Sequence, residues 1–259
     1  MNSLPTLFLS HGAPDLPMRE SAVTHFLKSL SQQLPQPKAI LVISAHWNAE
    51  PLRVSAAPNP KTHHDFSGFP EALYRLNYPA PGSPKLADRI VQLLTQRGID
   101  CQAHPSRGFD HGTWTPLLLA YPAAKIPVVQ LSIQSRQNPE MHWQLGQALR
   151  ALRQEGILMI GSGSATHNLA AMNRDYYAAP PVWVREFDDW LAKTLEHQNW
   201  NALMQYRQLA PYAQANHPTP EHLLPLFVAL GAVGNAAQAK QLHRSYTYSV
   251  LSMAAYAFH

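Results

Sequence analysis

The chain has 259 residues, 46% of them hydrophobic and only 14% charged. That length and composition suit one folded unit over residues 1–259 and exclude a disordered chain or a charged coiled coil. Its formal charge of +4, from 20 basic and 16 acidic side chains, is scattered rather than clustered, which favours small anionic ligands over nucleic acid.

Cys101 is the single cysteine, so neither an intramolecular disulfide nor a thiolate metal cluster is available. No run approaches the ~20 apolar residues that cross a bilayer, and Met1–Pro5 lacks a basic leader region. The expectation is a cytoplasmic protein without membrane contact.

In chain order, Thr6–Ser10 and Ala39–Ser44 read as strands covered on both faces, because each is a continuous apolar run. A helix follows from Ser83-Pro84, a capping hydroxyl before a proline at the first helical position, to a stop at Gly98. Val128–Ile133 is the next strand. Asn138-Pro139-Glu140 opens a helix ending at Gly156, with Met141, Leu145, Ala148, Leu149 and Leu152 as its apolar stripe. Ile157–Ile160 is a fourth strand.

Val182–Gln198 reads as a helix that buries Trp183, Phe187, Trp190 and Leu191, and Ser245–Met253 as a closing, antiparallel strand. Alternating strands and helices predict an α/β domain with a central, mostly parallel (mixed) sheet flanked by helices. Prolines gather in connections such as Tyr78–Gly82, which implies long, stiff loops over one sheet edge. In such a sheet, ligands bind outside the carboxyl ends of the strands.

Histidines collect at that edge. His11 follows the first strand in Ser10-His11-Gly12-Ala13-Pro14, where Gly12 permits a sharp turn and Pro14 ends the strand. His46 follows the second in Ser44-Ala45-His46-Trp47, beside an aromatic ring able to wall a pocket. Two imidazoles in equivalent places on successive strands point to metal ligation. His222 follows Thr219-Pro220-Glu221, read as a helix start with Thr219 as cap. The first-turn dipole disfavours imidazolium there, leaving a neutral ring able to ligate. Glu221 is a ligand, a partner of the ligand or a dipole-compensating acid, and His222 is preferred over it.

His167, in Ser164-Ala165-Thr166-His167-Asn168, is either a fourth ligand or an acid/base beside the metal. His111, in Gly108-Phe109-Asp110-His111-Gly112, has the context of an oriented imidazole beside the ligands. His63 and His64 lead into Asp65-Phe66-Ser67-Gly68-Phe69-Pro70, an aromatic loop suited to capping a flat substrate. His25, His104, His142, His197, His243 and His259 show no comparable context.

Together these motifs, in this order from about residue 6 to 253, make the sequence similar to the class III extradiol ring-cleavage dioxygenases, in their DOPA 4,5-dioxygenase-like branch. The resemblance implies an oxidoreductase that opens a catechol such as DOPA with O₂ at one divalent metal per chain. Fe(II) is expected for ring cleavage, and Zn(II) also suits an all-nitrogen shell. Carried over by position, the metal residues are His11, His46 and His222. His167 is a fourth ligand or the base that accepts the catechol proton, and His111 hydrogen-bonds the substrate oxygens. The partners implied are a small catechol and O₂, with the chain a monomer or a small homo-oligomer. Two alternatives share the site: a zinc hydrolase, whose base would come from Glu221, Asp110 or Asp65, and a non-catalytic metal-binding module.

Overall fold

Along the chain run β1 (Thr6–Ser10), β2 (Ala39–Asn48), β3 (Leu52–Ser55), β4 (Cys101–His104), β5 (Val128–Ile133), β6 (Ile157–Gly163), β7 (Ala239–His243), β8 (Tyr246–Thr247), β9 (Leu251–Ser252) and β10 (Ala255–Phe258). The computed structural model describes residues 3–259; Met1 and Asn2, part of the segment read as lacking a leader, lie outside them. Eight of these strands form one sheet in the order β4-β3-β5-β2-β6-β1-β10-β7.

The four apolar runs identified from sequence are its centre, and they pair in parallel as β5-β2-β6-β1. Antiparallel pairs at β3–β5, β1–β10 and β10–β7 make the sheet mixed. Alternate residues of each central strand face opposite layers, as a pleated strand requires. Leu41, Ile43 and Met159 meet Leu145, Leu149, Phe187 and Phe227 on one face. On the other, Leu7, Leu9, Ile40, Val42 and Ile160 meet Val23, Leu27, Trp114 and Leu117. Register brings the carboxyl ends level, with Ser44 opposite Ser162 and Ser10 opposite Gly163. That alignment puts the carboxyl ends of three different strands, β1, β2 and β6, at one edge.

Helix boundaries follow local chemistry. Ser83 caps Pro84–Thr95 by accepting from the Leu86 N–H at 3.2 Å, and Gly98 takes φ +70° just beyond. Asn138 caps the next helix, which divides into Pro139–Ala148 and Ala151–Gln154. Leu145, Ala148, Leu149 and Leu152 of the stripe are buried, and Met141 is half-buried.

Two expectations are corrected. The helix Val182–Glu196 buries Val184, Phe187, Asp188, Leu191 and Leu195, leaving Trp183 and Trp190 half-buried. The face is turned because Asp188 lies inside, where it accepts from Arg244 Nε at 2.8 Å and Tyr246 Oη at 2.7 Å. Ser245–Met253 does not close the sheet either. It folds into the β8–β9 hairpin, whose turn places Tyr248 and Ser249 at φ +52° and +63°. The closing strand is β10, an apolar run able to sit between β1 and β7 with both faces covered.

At β6 two glycines decide how close the next layer comes. A Cβ on Gly161 would overlap the Pro225 carbonyl, and one on Gly163 would overlap the His222 carbonyl. Their absence lets the turn carrying His222 and the helix Leu224–Gly231 lie against the strand backbone.

Candidate metal centre

β1 ends at Ser10, whose hydroxyl donates to the Ala254 carbonyl at 2.9 Å and accepts from the Ala165 N–H at 3.0 Å. The chain then turns at Gly12 (φ +69°), and the His11 N–H donates to the Gly163 carbonyl at 3.0 Å. Ser162 gives its hydroxyl hydrogen to the Gly112 carbonyl and so can only accept from His11 Nδ1, which lies 3.0 Å away. That contact fixes the tautomer: Nδ1 of His11 carries the hydrogen and Nε2 carries the lone pair.

His46 lies inside its strand rather than after it, because β2 continues to Asn48 across an irregular register after Ile43. Its Nδ1 faces Asp65 Oδ2 at 3.6 Å, too long for a hydrogen bond. His222 is in a turn rather than a helix. The Leu223 and Leu224 N–H groups both reach the Pro220 carbonyl, at 3.0 and 3.3 Å, and helix begins only at Leu224. Two prolines crowd this stretch, and the Ser164 N–H holds the His222 carbonyl at 2.8 Å, so the backbone here is anchored to β6 instead of coiling. His222 Nδ1 donates to Glu221 Oε1 at 3.1 Å, and that oxygen also accepts from Thr219 Oγ1 at 2.9 Å. Glu221 therefore meets the far nitrogen of His222.

With each Nδ1 facing an oxygen, the three Nε2 atoms converge. His11 and His46 Nε2 are 3.0 Å apart, and His46 and His222 Nε2 are 3.3 Å apart. Burial first, and then the neighbouring imidazoles, hold His11 and His222 well below the usual histidine range. His46 is lowered to about 3, again chiefly by burial, with the opposing pull of Asp65 too weak to restore it. The rings are thus neutral near pH 7. The Nε2 lone pairs of His11 and His222 both aim at His46 Nε2, and a shared cation satisfies all three nitrogens at once. The donor set fits a divalent metal with three nitrogen ligands and an open side.

Two further histidines flank these. His111 begins the helix His111–Ala120, capped by Asp110, and its ring centroid is 3.9 Å from that of His46. Its backbone N–H and its Nδ1–H both donate to Asp65 Oδ1 at 2.9 Å. Burial acts to raise the Asp65 pKa, but these bonds outweigh it and leave the carboxyl well below its ordinary range. His167 lies flat on His222, and its pKa is lowered to about 4, mainly by burial. The ligand atoms of His11, His46 and His222 form one group within 4.8 Å, while His167 groups with Glu221 and His222.

The other candidates are dispersed. His64 is tied through Nε2 to the Leu76 carbonyl at 3.0 Å and packs against Phe66 and Trp114 in the wall of the aromatic loop. His63 is exposed. Asp110 is buried and turned to Ser44 Oγ at 2.7 Å, Gln130 and Arg107, away from the cluster. Trp47 sits under the Arg107 guanidinium at 4.9 Å. His142 bonds the carbonyl of its own helix cap, and His243 stacks on Phe26.

Three functional contacts escaped sequence reasoning. Ser162 as acceptor for His11 was signalled only by its place between two glycines. Asp65 was weighed as a free base, although the His64-Asp65-Phe66 motif marked it. His217, fully buried with Nε2 2.9 Å from the Ala165 carbonyl, gave no signal.

The chain matches the family described as the catalytic LigB subunit of aromatic ring-opening dioxygenase over residues 4–259. It is 42% identical to a Beta vulgaris protein named 4,5-DOPA dioxygenase extradiol, over 99% of this chain and 97% of that one. An Escherichia coli K12 protein of the same name is 41% identical over 88% of this chain and 85% of its own length. A crystal structure of an uncharacterized Escherichia coli K12 protein superposes with a TM-score of 0.83 at 35% identity, covering 98% of this chain and 99% of the other. With its histidines gathered at the carboxyl edge of the family's sheet, the chain belongs to the LigB family of aromatic ring-opening dioxygenases.

Proposed function

We propose that residues 1–259 form one catalytic unit, an extradiol dioxygenase whose metal is held by His11, His46 and His222 and whose substrate is a catechol, with DOPA the first to test. The observation that carries this reading is the convergence of three neutral Nε2 atoms, 3.0 and 3.3 Å apart, each with its Nδ1 turned to an oxygen. Fe(II) held there supplies the redox chemistry by which a catechol and O₂ combine, whereas Zn(II), equally comfortable among imidazoles, does not.

The chain's own groups handle protons. A carboxylate accepts hydrogen bonds and cannot donate them, so Asp65 fixes the hydrogen of His111 on Nδ1 and leaves Nε2 free to accept a proton. His111 can therefore donate to a substrate oxygen only after taking a proton, and the resulting imidazolium is balanced by Asp65. His167, neutral through burial, is the second acceptor and stands on the opposite, His222 side of the centre. Phe66 and Phe69, with ring centroids 5.3 Å apart, and Tyr74 supply flat apolar surface beside His111 for an aromatic ring.

A hydrolase needs a carboxylate free to act on a bound water. Asp65 and Glu221 face imidazole Nδ1 atoms and Asp110 faces away, which favours ring opening over hydrolysis. The test is anaerobic loading with Fe(II), followed by O₂ uptake with DOPA and a panel of catechols, with Zn(II)-loaded protein alongside. Stoichiometric uptake and a yellow ring-opened product in the iron form alone are expected. Tight metal binding with no uptake on any catechol would overturn the reading.

A further inference from the structure

Asp65 joins the histidine cluster to the aromatic loop. Oδ1 takes both the backbone N–H and the Nδ1–H of His111 at 2.9 Å, while Oδ2 faces His46 Nδ1 at 3.6 Å. The neighbouring residue, Phe66, meets Phe69, Tyr74 and Trp114 with centroid separations of 5.3, 5.2 and 6.3 Å. At its base the loop is strapped down: the His63 N–H donates to the Phe109 carbonyl at 2.7 Å, and Trp114 Nε1 donates to the His63 carbonyl at 3.2 Å. Further out, Ser67 and Gly68 are exposed, with Gly68 at φ +80°. Between base and tip, the Asp65 side chain is the polar tie to the rest of the site.

We propose that Asp65 is a positioning residue whose carboxylate orients His46 and His111 together and couples the loop 62–77 to the metal centre, so that metal occupancy and loop order rise together. The inference rests on His11, His46 and His222 holding the metal. Because a carboxylate only accepts, it holds His111 with hydrogen on Nδ1 and the lone pair on Nε2, and its negative charge 3.6 Å from His46 Nδ1 favours the same form of that ring. Without a cation, His46 is held to Asp65 Oδ2 only through the 3.6 Å contact of its Nδ1. With a cation in place, His46 is fixed and the carboxylate closes the loop onto it. Asparagine at this position would turn an N–H₂ toward one of the two Nδ1–H groups and disorient that ring.

The experiment titrates Co²⁺ alone into the metal-free full chain, reading visible absorption for affinity and amide hydrogen exchange over residues 62–77 for loop order. Asp65→Asn should bind Co²⁺ 10- to 100-fold more weakly. Co²⁺ should slow loop exchange in the wild-type chain and not in the variant. Asp65→Glu, which keeps an acceptor at longer reach, should fall between the two and serves if the asparagine variant fails to fold. Wild-type Co²⁺ affinity in Asp65→Asn, or a wild-type loop indifferent to Co²⁺, would overturn the proposal. Neither readout needs turnover, so a chain that binds Co²⁺ but opens no catechol removes the dioxygenase reading and leaves this test intact. A chain that binds no Co²⁺ removes both.

Discussion

The imidazole of His167 lies on that of His222 with centroids 3.4 Å apart and planes 8° from parallel. An ion in the plane of the His222 ring would lie about one ring spacing out of the His167 plane, which favours the acid/base role over the fourth-ligand role for His167. His167→Ala should keep one metal per chain and lose roughly 100- to 10,000-fold in turnover, the range for a lost acid/base. Metal analysis beside O₂ uptake decides it, and loss of the metal would make His167 a ligand. His222→Ala should instead lose the metal and all activity.

The oxygens facing each Nδ1 should matter almost as much as the ligands. Ser162→Ala removes the acceptor at 3.0 Å from His11, and Glu221→Gln weakens the one at 3.1 Å from His222. Each should weaken metal binding about 10- to 100-fold, measured by competition with a chelator, while thermal stability of the metal-free chain changes little in Glu221→Gln and falls in Ser162→Ala, which also loses the bond to the Gly112 carbonyl. Unchanged affinity in both would mean that packing alone orients the rings.

Gly163→Ala should act through the backbone. The added methyl meets the His222 carbonyl, which also receives the Ser164 N–H at 2.8 Å, so the ligand turn must lift from β6. Overpacking of this kind destabilises by about 1–3 kcal/mol. Urea unfolding and metal titration should both show the damage, whereas Gly68→Ala, in open space, should keep metal affinity and change stability only through its positive φ.

The sequence announced part of this centre for a physical reason. Continuous apolar runs identified β1, β2, β5 and β6; His11 follows β1 directly and His46 lies near the carboxyl end of β2. His222 was identified by its residue type, but its predicted helical setting was wrong because its backbone is held by Ser164 across the sheet. Ser162 lies 151 positions from His11, and no local pattern reports a hydrogen bond over that separation. Asp188 shows the same limit: its partner Arg244 lies 56 positions away, so nothing local reports that it turns inward.

Acid should weaken the fold in a definite window. His217 is buried and its pKa is lowered from 6.5 to about 4, first by desolvation, then partly restored by its bond to Ala165. Above pH 6.5 the residue is neutral whether folded or not. As pH falls from 6.5 toward 4, the unfolded chain binds a proton that the folded chain refuses, so stability drops by about 3 kcal/mol. His217→Gln keeps an N–H donor for Ala165 and should remove about that much of the acid loss between pH 7 and 4 in urea titrations. An identical acid loss in both proteins would count against it.

The three Nε2 atoms belong to residues 11, 46 and 222. A ribosome releasing the chain in order delivers the first two of these imidazoles well before the third, with β10, the neighbour of β1, later still. A half-made chain therefore offers a metal two nitrogens at most from this set. An ion that needs all three nitrogens waits until the chain has been made through residue 222, by which time the four central strands of the sheet have been made.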